Sequence, residues 1–137
     1  MKHLTKEQLK KDLETRDLSD KAQGEHCMQL IMNEVIDALK KYWNCPVTIY
    51  REDPVVTVED NYDKLKIDKE SVLRSEVYTR YVDDNHVLRT MASVMVPRGL
   101  QSIKDDIKPN RLLACVGLVY RRDQIDRIHS GVHHQMD

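Results

Sequence analysis

The first apolar pattern in the chain is that of a short, capped helix. Thr5 and Gln8 have the spacing of a capping box, and Leu4 and Leu9 have that of a hydrophobic staple, so we predict a helix whose N-cap is Thr5. Apolar positions are sparse along it. We therefore expect this helix to lie on the protein surface or against a partner, and the polar stretch 17–24 to be a connection.

The second helix, predicted over residues 26–43, has the strongest periodicity in the sequence. Its apolar positions recur every three to four residues and form a wide stripe: Met28, Leu30, Ile31, Val35, Ile36, Leu39 and Tyr42. Such a wide stripe predicts burial on two sides, one against a sheet and the other against a second subunit. The segment Asn44-Cys45-Pro46 ends the helix.

Beyond this helix the apolar period falls from 3.6 to 2, which is typical of strands. The predicted elements are short strands at 47–50 and 55–58, a β-hairpin at 78–90 with its turn at 83–85, a short helix at 94–105, a buried central strand at 112–120, a charged loop at 121–131 and a new strand from Val132. Helices followed by mostly antiparallel strands, with further helices packed on the sheet, define an α+β fold.

Composition narrows the class of protein. The 137 residues suit one domain, and 22 basic against 23 acidic side chains give a net charge of −1, without the basic surplus of a stand-alone nucleic-acid-binding module. The longest apolar run is too short to span a bilayer, and the N-terminus has no signal-peptide core. Three widely spaced cysteines favour a reducing compartment, so we expect a cytoplasmic protein that is not membrane-bound.

Two groups of residues suggest metal chemistry, and each has a simpler interpretation. Asp83 and Asp84 resemble the paired aspartates of a polymerase hairpin, but the same residues suit the tip of a turn, which is the favoured interpretation. His129, His133 and His134 could contribute to a zinc site, although adjacent residues on a strand point to opposite faces. A metal-dependent module built on His129 and His134 is therefore the weakest hypothesis, and we expect no dedicated metal site.

Arg121 and Arg122 leave the buried strand and enter a loop rich in carboxylates. A guanidinium group at such a position can bind phosphate through two parallel hydrogen bonds, which Lys cannot do. The alternative is a solvated, salt-bridged loop, and composition alone favours it.

Three sequence blocks resemble the phenylalanyl-tRNA synthetase α subunit, a class II aminoacyl-tRNA synthetase. Residues 119–137, which read VYRRDQIDRIHSGVHHQMD, closely resemble motif 2 of that family. Residues 87–93, VLRTMAS, are similar to its LLRTHTS block, and Asp53-Pro54 followed by NYDKL at 61–65 resembles its motif 1 region. The order and spacing of the blocks match over roughly residues 28–137.

The resemblance implies a class II synthetase-like catalytic sheet of six to seven antiparallel strands, with motif 1 at a dimer interface and motif 2 at the ATP site. It divides the chain into an N-terminal helix and connection, residues 1–24, and a catalytic-domain fragment, residues 25–137, that holds motifs 1 and 2. No counterpart of motif 3 occurs in the sequence. We therefore expect the N-terminal half of such a domain, either a truncated piece or a short paralogue whose other half lies elsewhere.

The resemblance also implies roles for individual residues. Arg121 matches the arginine that binds the α-phosphate of ATP and offsets the charge that develops there, while Mg²⁺ bridges the phosphates. Asp123 matches an acidic residue that faces the adenine amine, and His129 matches a histidine that reaches the outer phosphates. The positions that line the amino-acid pocket and hold the α-amino group are matched by Ser93, Gln135 and Asp137.

The implied activity is the ATP-dependent conversion of an amino acid, or a related carboxylic acid, to an acyl-adenylate for transfer to tRNA or another acceptor. The implied assembly is a homodimer or a complex with a partner subunit. Met91 stands where the family has a histidine that contacts the amino acid, and His133 replaces an aromatic residue, so phenylalanine is one candidate acid among others. The alternative is a non-catalytic dimerisation or regulatory module that uses the apolar face of the second helix.

Overall fold

The computed structural model describes residues 2–106, 110–122 and 125–137. The α-helices of this part of the chain are α1 (Lys6–Leu13), α2 (Cys27–Trp43) and α3 (Val96–Ser102), and its strands are β1 (Val47–Tyr50), β2 (Val55–Thr57), β3 (His86–Leu88), β4 (Leu112–Tyr120) and β5 (Val132–Met136); short single-turn helices, such as Glu59–Asp63, connect them. These elements confirm the predicted α+β class, and each lies within about three residues of a predicted one. No helix in the described ranges is long and apolar enough to cross a membrane.

Strand β4 is the centre of the sheet. It pairs with β1 on one side in parallel register, Val47 opposite Leu112, and with β5 on the other side in antiparallel register, Val132 opposite Tyr120. Strands β2 and β3 form a separate antiparallel pair, which meets the end of β4 where the Tyr120 amide donates to the Arg89 carbonyl (2.9 Å). The parallel pairing of β1 differs from the antiparallel expectation. The long crossover between β1 and β4 makes it possible.

Helix α1 begins as its sequence predicts. Thr5 Oγ1 accepts a hydrogen bond from the Gln8 amide (3.2 Å), and Gln8 Oε1 accepts one from the Thr5 amide (2.9 Å), which completes the capping box. No residue of α1 is fully buried, as expected of a surface helix. Leu4 and Leu9 nevertheless pack against the core cluster that contains Leu118, so the helix is attached to this chain's own sheet.

Helix α2 is buried on one side only. Ile36 packs against Ala114 and Val116 of β4, as the predicted sheet contact requires. On the other side of the stripe, Leu30 is 68% exposed and Ile31 is 66% exposed. Among the described residues, no part of this chain provides the predicted burial of this second side.

The predicted hairpin at 78–90 forms only in part. Strand β3 pairs with β2, whereas Tyr81 makes a single isolated bridge to Val87. The hydroxyl groups of Tyr62 and Thr79 donate to the Leu73 carbonyl (2.9 and 2.8 Å) and hold the preceding segment in turns, so it does not extend into a strand.

The aspartates at the tip of this hairpin act as turn residues. Asp83 Oδ1 accepts hydrogen bonds from the amides of Asn85 (2.7 Å) and His86 (2.8 Å), and these bonds lower the pKa of the Asp83 carboxyl. Asp84 lies 3.0 Å from His3 and is largely exposed. The turn interpretation of Asp83-Asp84 therefore agrees with the structure.

The connection between α1 and α2 is more ordered than its polar sequence indicates. Asp17 is buried and pairs with Arg51 (3.2 Å), which also donates to the Ser19 carbonyl (2.6 Å). The Leu18 amide donates to His134 Nε2 (2.8 Å) on β5. These contacts attach the connection to the sheet.

Candidate active site

Three of the predicted site residues meet at the end of β5. Ser93 Oγ donates a hydrogen bond to Asp137 Oδ2, and Gln135 Nε2 donates to Asp137 Oδ1 (3.0 Å). Gln135 Oε1 accepts from the Ala92 amide (3.2 Å), which fixes the orientation of the Gln135 side-chain amide. Residues more than forty positions apart in the sequence therefore share one polar cluster.

The position of this cluster follows from the strand register. Gln135 lies opposite Gly117 on β4, and the backbone of Asp137 pairs with that of Cys115 in both directions (2.8 and 3.0 Å). The neighbouring Ala92 packs against Cys115 in the core. Asp137 itself is exposed. Its carboxylate is therefore held by Ser93 and Gln135 and remains accessible to solvent. An oriented, accessible carboxylate is a suitable partner for an ammonium group.

Arg121 lies at the end of β4, where its amide donates to the Gly131 carbonyl (2.8 Å). Its side chain is half-buried, and Nε donates to the Thr90 carbonyl (3.1 Å). Within the described part of the chain, the structure gives its two terminal nitrogens no hydrogen-bond partner and no carboxylate within 4.0 Å. The guanidinium is therefore oriented from one edge and can bind an anion through the other.

A buried residue that sequence reasoning left without a role orients the acceptor of Arg121. Asn61 is fully buried, and its side chain bonds Thr90 twice: Nδ2 donates to Thr90 Oγ1 (3.0 Å), and Oδ1 accepts from the Thr90 amide (3.1 Å). The three sequence blocks that carry the resemblance thus meet at Thr90. The only signal in the sequence was the position of Asn61 at the start of the NYDKL block.

Arg89, which precedes Thr90, is also structural and buried, at 3% exposure. Its Nε donates to the Leu118 carbonyl (2.7 Å) and its Nη1 to the Glu52 carbonyl (3.0 Å), while burial lowers the pKa of the guanidinium. A Cβ at Gly117 would lie 2.5 Å from Arg89 Nη2, so only glycine leaves space for this side chain. The Arg89 contacts hold the end of β3 against β4.

His129, a predicted nucleotide-binding residue of the charged loop, has no hydrogen bond in the described ranges to the cluster of Ser93, Gln135 and Asp137. His129 is exposed, and its Nδ1 lies 2.8–2.9 Å from both carboxylate oxygens of Asp126. Asp126 also accepts from the amides of Ile128 and His129, and these bonds lower the pKa of its carboxyl. Asp123 lies outside the described residues. No hydrogen bond in the described ranges connects His129 with Arg121.

The two histidines of the metal hypothesis have different partners. His134 accepts from the Leu18 amide and lies 3.4 Å from Asp17, and burial lowers the pKa of its imidazole. His129 contacts Asp126 instead. Among the residues that the structure describes, no group of three or more His, Cys, Asp or Glu side chains could hold a metal ion.

Comparison with solved structures places the fold among the class II synthetases. The chain superimposes on pyrrolysyl-tRNA synthetase from Desulfitobacterium hafniense with a TM-score of 0.58 at 14% sequence identity, over 78% of this chain and 37% of that one. The fold is thus that of a class II aminoacyl-tRNA synthetase catalytic domain. The family model described as tRNA synthetases class II core domain (F) matches residues 10–137, and the chain belongs to this family.

Its curated relatives are phenylalanine–tRNA ligases. The chain is 40% identical over 87 residues to the mitochondrial phenylalanine–tRNA ligase of Saccharomyces cerevisiae, covering 61% of this chain and 18% of the relative. It is 32% identical over 108 residues to the phenylalanine–tRNA ligase alpha subunit of Mycoplasma pneumoniae, covering 78% of this chain and 32% of the relative. The chain therefore spans at most about a third of the length of these relatives.

Proposed function

We propose that this chain carries the amino-acid-activating half-site of a phenylalanyl-tRNA synthetase-like enzyme. The reaction joins ATP to an amino acid, or a related carboxylic acid, and gives an acyl-adenylate and pyrophosphate, before transfer to tRNA or another acceptor. The observation that carries the proposal is the meeting of Ser93, Gln135 and Asp137 in one polar cluster. Thr90, which orients Arg121, lies close to that cluster in the chain.

The proposed roles follow from charge and orientation. A carboxylate oxygen of the acid attacks the α-phosphorus of ATP, and the bond to the leaving pyrophosphate breaks. The terminal nitrogens of Arg121 stabilise the negative charge that develops on the α-phosphate. Asp137 binds the α-ammonium group of the substrate, and Ser93 and Gln135 hold Asp137 in place.

The described residues fit ATP better than they fit a protein-bound metal ion. Within the described part of the chain, the terminal nitrogens of Arg121 have no hydrogen-bond partner and suit a phosphate, and we propose that Asp123 and His129 contact the nucleotide. Mg²⁺ is the expected partner of the ATP phosphates and usually keeps few protein ligands. The described residues offer no cluster of three ligands for it, so no catalytic step is assigned to the ion.

The proposal extends to the identity of the acid that is activated. The relatives are named phenylalanine–tRNA ligases, so phenylalanine is the first acid to test. Met91, which stands where the family has a histidine, is half-buried and packs against the cluster that contains Val56 and Val94. Methionine cannot supply the hydrogen bonds of a histidine, so we propose an acid that does not depend on a polar contact at this position.

Calorimetric titration of ATP with magnesium into the wild-type chain and the Arg121→Ala variant tests the nucleotide half of the proposal. We expect the variant to bind at least about tenfold more weakly, which corresponds to about 1.4 kcal/mol. Arg127→Ala is the matched control, because Arg127 is an exposed arginine on the same loop and should leave binding unchanged. Equal affinity of the wild type and Arg121→Ala, or no binding by either, would contradict the proposal.

Exchange of pyrophosphate into ATP tests the activation step. With phenylalanine or another acid present, the proposal predicts exchange that is lost in Asp137→Asn, because the neutral amide no longer pairs with the α-ammonium group. An absence of exchange with every acid tested on the longest native form of the protein would refute the activity.

We infer that this protein functions in a reducing compartment, and we propose that the compartment is the cytoplasm. The three cysteines are free thiols: Cys27 is exposed, while Cys45 and Cys115 are buried. Free, widely separated thiols are typical of proteins that do not pass through an oxidising compartment.

A second candidate function, a dimerising or regulatory module, is favoured by the exposed side of α2. Leu30, Ile31 and Val35 are 68%, 66% and 42% exposed, and Tyr42 and Trp43 extend this apolar surface to the end of the helix. Contiguous apolar surface of this kind is typical of a protein–protein interface. We propose that a second copy, or a partner subunit of the kind that the name alpha subunit implies for the relatives, covers it.

Sedimentation analysis tests this second function. Ile31→Asp places a charge in the centre of the surface and should yield a folded monomer if the wild type is a dimer. Asn33→Asp is the control, since it adds the same charge at an exposed polar position of the same helix. A monomeric wild type, or an unchanged dimer in Ile31→Asp, would exclude dimerisation through this face.

A further inference from the structure

His134 on β5 holds the connection between α1 and α2 through a ring nitrogen that carries no proton. The Leu18 amide donates to His134 Nε2 (2.8 Å), so Nε2 is the acceptor of this hydrogen bond. A neutral imidazole has one acceptor nitrogen and one donor nitrogen, whereas an imidazolium ion has two donors and no acceptor. The contact between Leu18 and His134 therefore exists only in the neutral form of the histidine.

A second partner for the same nitrogen lies beside the first. Asp17 Oδ1 is 3.4 Å from His134 Nε2. The Asp17 side chain is buried, and Oδ1 is fixed by hydrogen bonds from the Ser19 amide (2.9 Å) and hydroxyl (2.6 Å). A protonated Nε2 faces a second donor in the Leu18 amide and an acceptor in the Asp17 carboxylate. Protonation therefore exchanges one partner for the other.

The groups around His134 favour its neutral form. Its side chain is 20% exposed, and burial lowers the pKa of the imidazole. His26 at the start of α2, the adjacent His133 and Arg51, which follows β1, lower this pKa further. Asp17 raises it, but the Asp17 carboxylate also pairs with Arg51 Nη1 (3.2 Å). Since the net effect is a lowered pKa, the backbone contact is complete above the ordinary value of 6.5 and is lost as pH falls through the lower value of the folded protein.

Other hydrogen bonds hold the connection at every pH in this range. Arg51 Nη2 donates to the Ser19 carbonyl (2.6 Å), and Gln29 Nε2 donates to the Gly24 carbonyl (2.8 Å). Guanidinium, amide and carbonyl groups do not titrate between about pH 5 and 8, whereas histidine does. Loss of the contact at Leu18 is therefore a local change in a chain that stays folded.

We propose that the contact between Leu18 and His134 is a pH-sensitive switch that attaches the connection to β5. A neutral His134 binds the Leu18 amide. On protonation, Nε2 takes a proton from solvent and donates it in a hydrogen bond to Asp17, while Leu18 is released from the strand. The switch lies on the strand that carries Gln135 and Asp137, but it does not depend on the role proposed for them.

Nuclear magnetic resonance of the ¹⁵N-labelled chain between about pH 7.5 and 5 tests the switch. The Leu18 amide and the ring C–H groups of His134 should titrate with one common midpoint, below 6.5. Across this midpoint, hydrogen exchange at the Leu18 amide should accelerate by at least about tenfold after correction for the intrinsic effect of pH. The Tyr120 amide, which donates to the Arg89 carbonyl (2.9 Å) in the core, should stay protected throughout.

Two matched variants assign the effect to one histidine. His134→Gln supplies an amide oxygen that accepts at every pH, so Leu18 should stay protected over the whole range. His133→Gln makes the same change at the adjacent position, on the opposite face of β5, and should retain the pH-dependent release of Leu18. If His134→Gln does not fold, the common midpoint in the wild-type chain decides the question.

Three results would overturn the proposal. These are exchange at the Leu18 amide that does not change across the pH range, the same release of Leu18 in His134→Gln, and simultaneous loss of protection at Leu18 and Tyr120, which indicates global unfolding. All three are measured without ATP or an amino acid, so failure here and failure of the proposed function are distinguishable.

Discussion

Replacing Thr90 with valine tests the hydrogen bonds that orient the acceptor of Arg121. Valine has nearly the shape of threonine, so the substitution removes one hydroxyl and leaves no cavity. Asn61 is fully buried, its Nδ2 donates to Thr90 Oγ1 (3.0 Å), and its side chain also interacts with the Tyr62 hydroxyl, so Thr90→Val leaves one of the two Nδ2 hydrogens without its acceptor. An unsatisfied buried donor costs about 1–3 kcal/mol, and we therefore expect the free energy of unfolding to fall by about 2 kcal/mol.

Urea denaturation followed by circular dichroism measures this change, and an unchanged slope against urea shows that only stability has altered. Thr15→Val is the control, because it makes the same chemical change at an exposed position and should alter stability by less than about 0.5 kcal/mol. If Thr90→Val is as stable as Thr15→Val, the Asn61–Thr90 contact does not exist as described. The role assigned to Asn61 in orienting the site then fails as well.

Three further predictions concern other buried groups. Gly117→Ala should lower the free energy of unfolding by about 1–3 kcal/mol in the same assay, because the new Cβ overlaps Arg89 Nη2. His134 has a lowered pKa, so its contribution to stability is present above the ordinary pKa of 6.5 and is lost as pH falls below it; His134→Gln should remove that dependence. Burial raises the pKa of the Cys115 thiol from 9.0 to about 11, so the folded protein should lose stability as pH rises between these values, and iodoacetamide should modify Cys27 well before Cys115.

The sequence predicts those elements that have a strong local signal. The capping box at Thr5 and Gln8 and the apolar run of β4 are determined by neighbouring residues, and both occur where expected. The hairpin at 78–90 forms only in part because the segment before it is held by Tyr62, which lies well upstream in the chain. Local β-propensity carries no information about such a distant contact.

The candidate site, too, is predicted by the sequence only in part. The resemblance predicted that Ser93, Gln135 and Asp137 share one site, and the structure brings their side chains together. The sequence could not show that Arg89 and Asn61 are buried residues that hold the site in place. A polar residue of a motif cannot be assigned from sequence alone to a contact with substrate or to a contact with the backbone. Burial distinguishes the two cases, at 3% exposure for Arg89 and 0% for Asn61, and burial is a property of the fold.

The buried residues that support the site join its three sequence blocks through hydrogen bonds. Asn61 fixes Thr90, Thr90 accepts from Arg121, and Arg89 fixes the β3 end against β4 from the other side. Among the described residues, the Arg121 guanidinium is oriented by a backbone carbonyl and has no carboxylate within 4.0 Å, so this contact does not neutralise its positive charge. For the phosphate contact that we propose at Arg121, the guanidinium is already oriented by its bond to Thr90, and binding there does not need to reorganise the sheet.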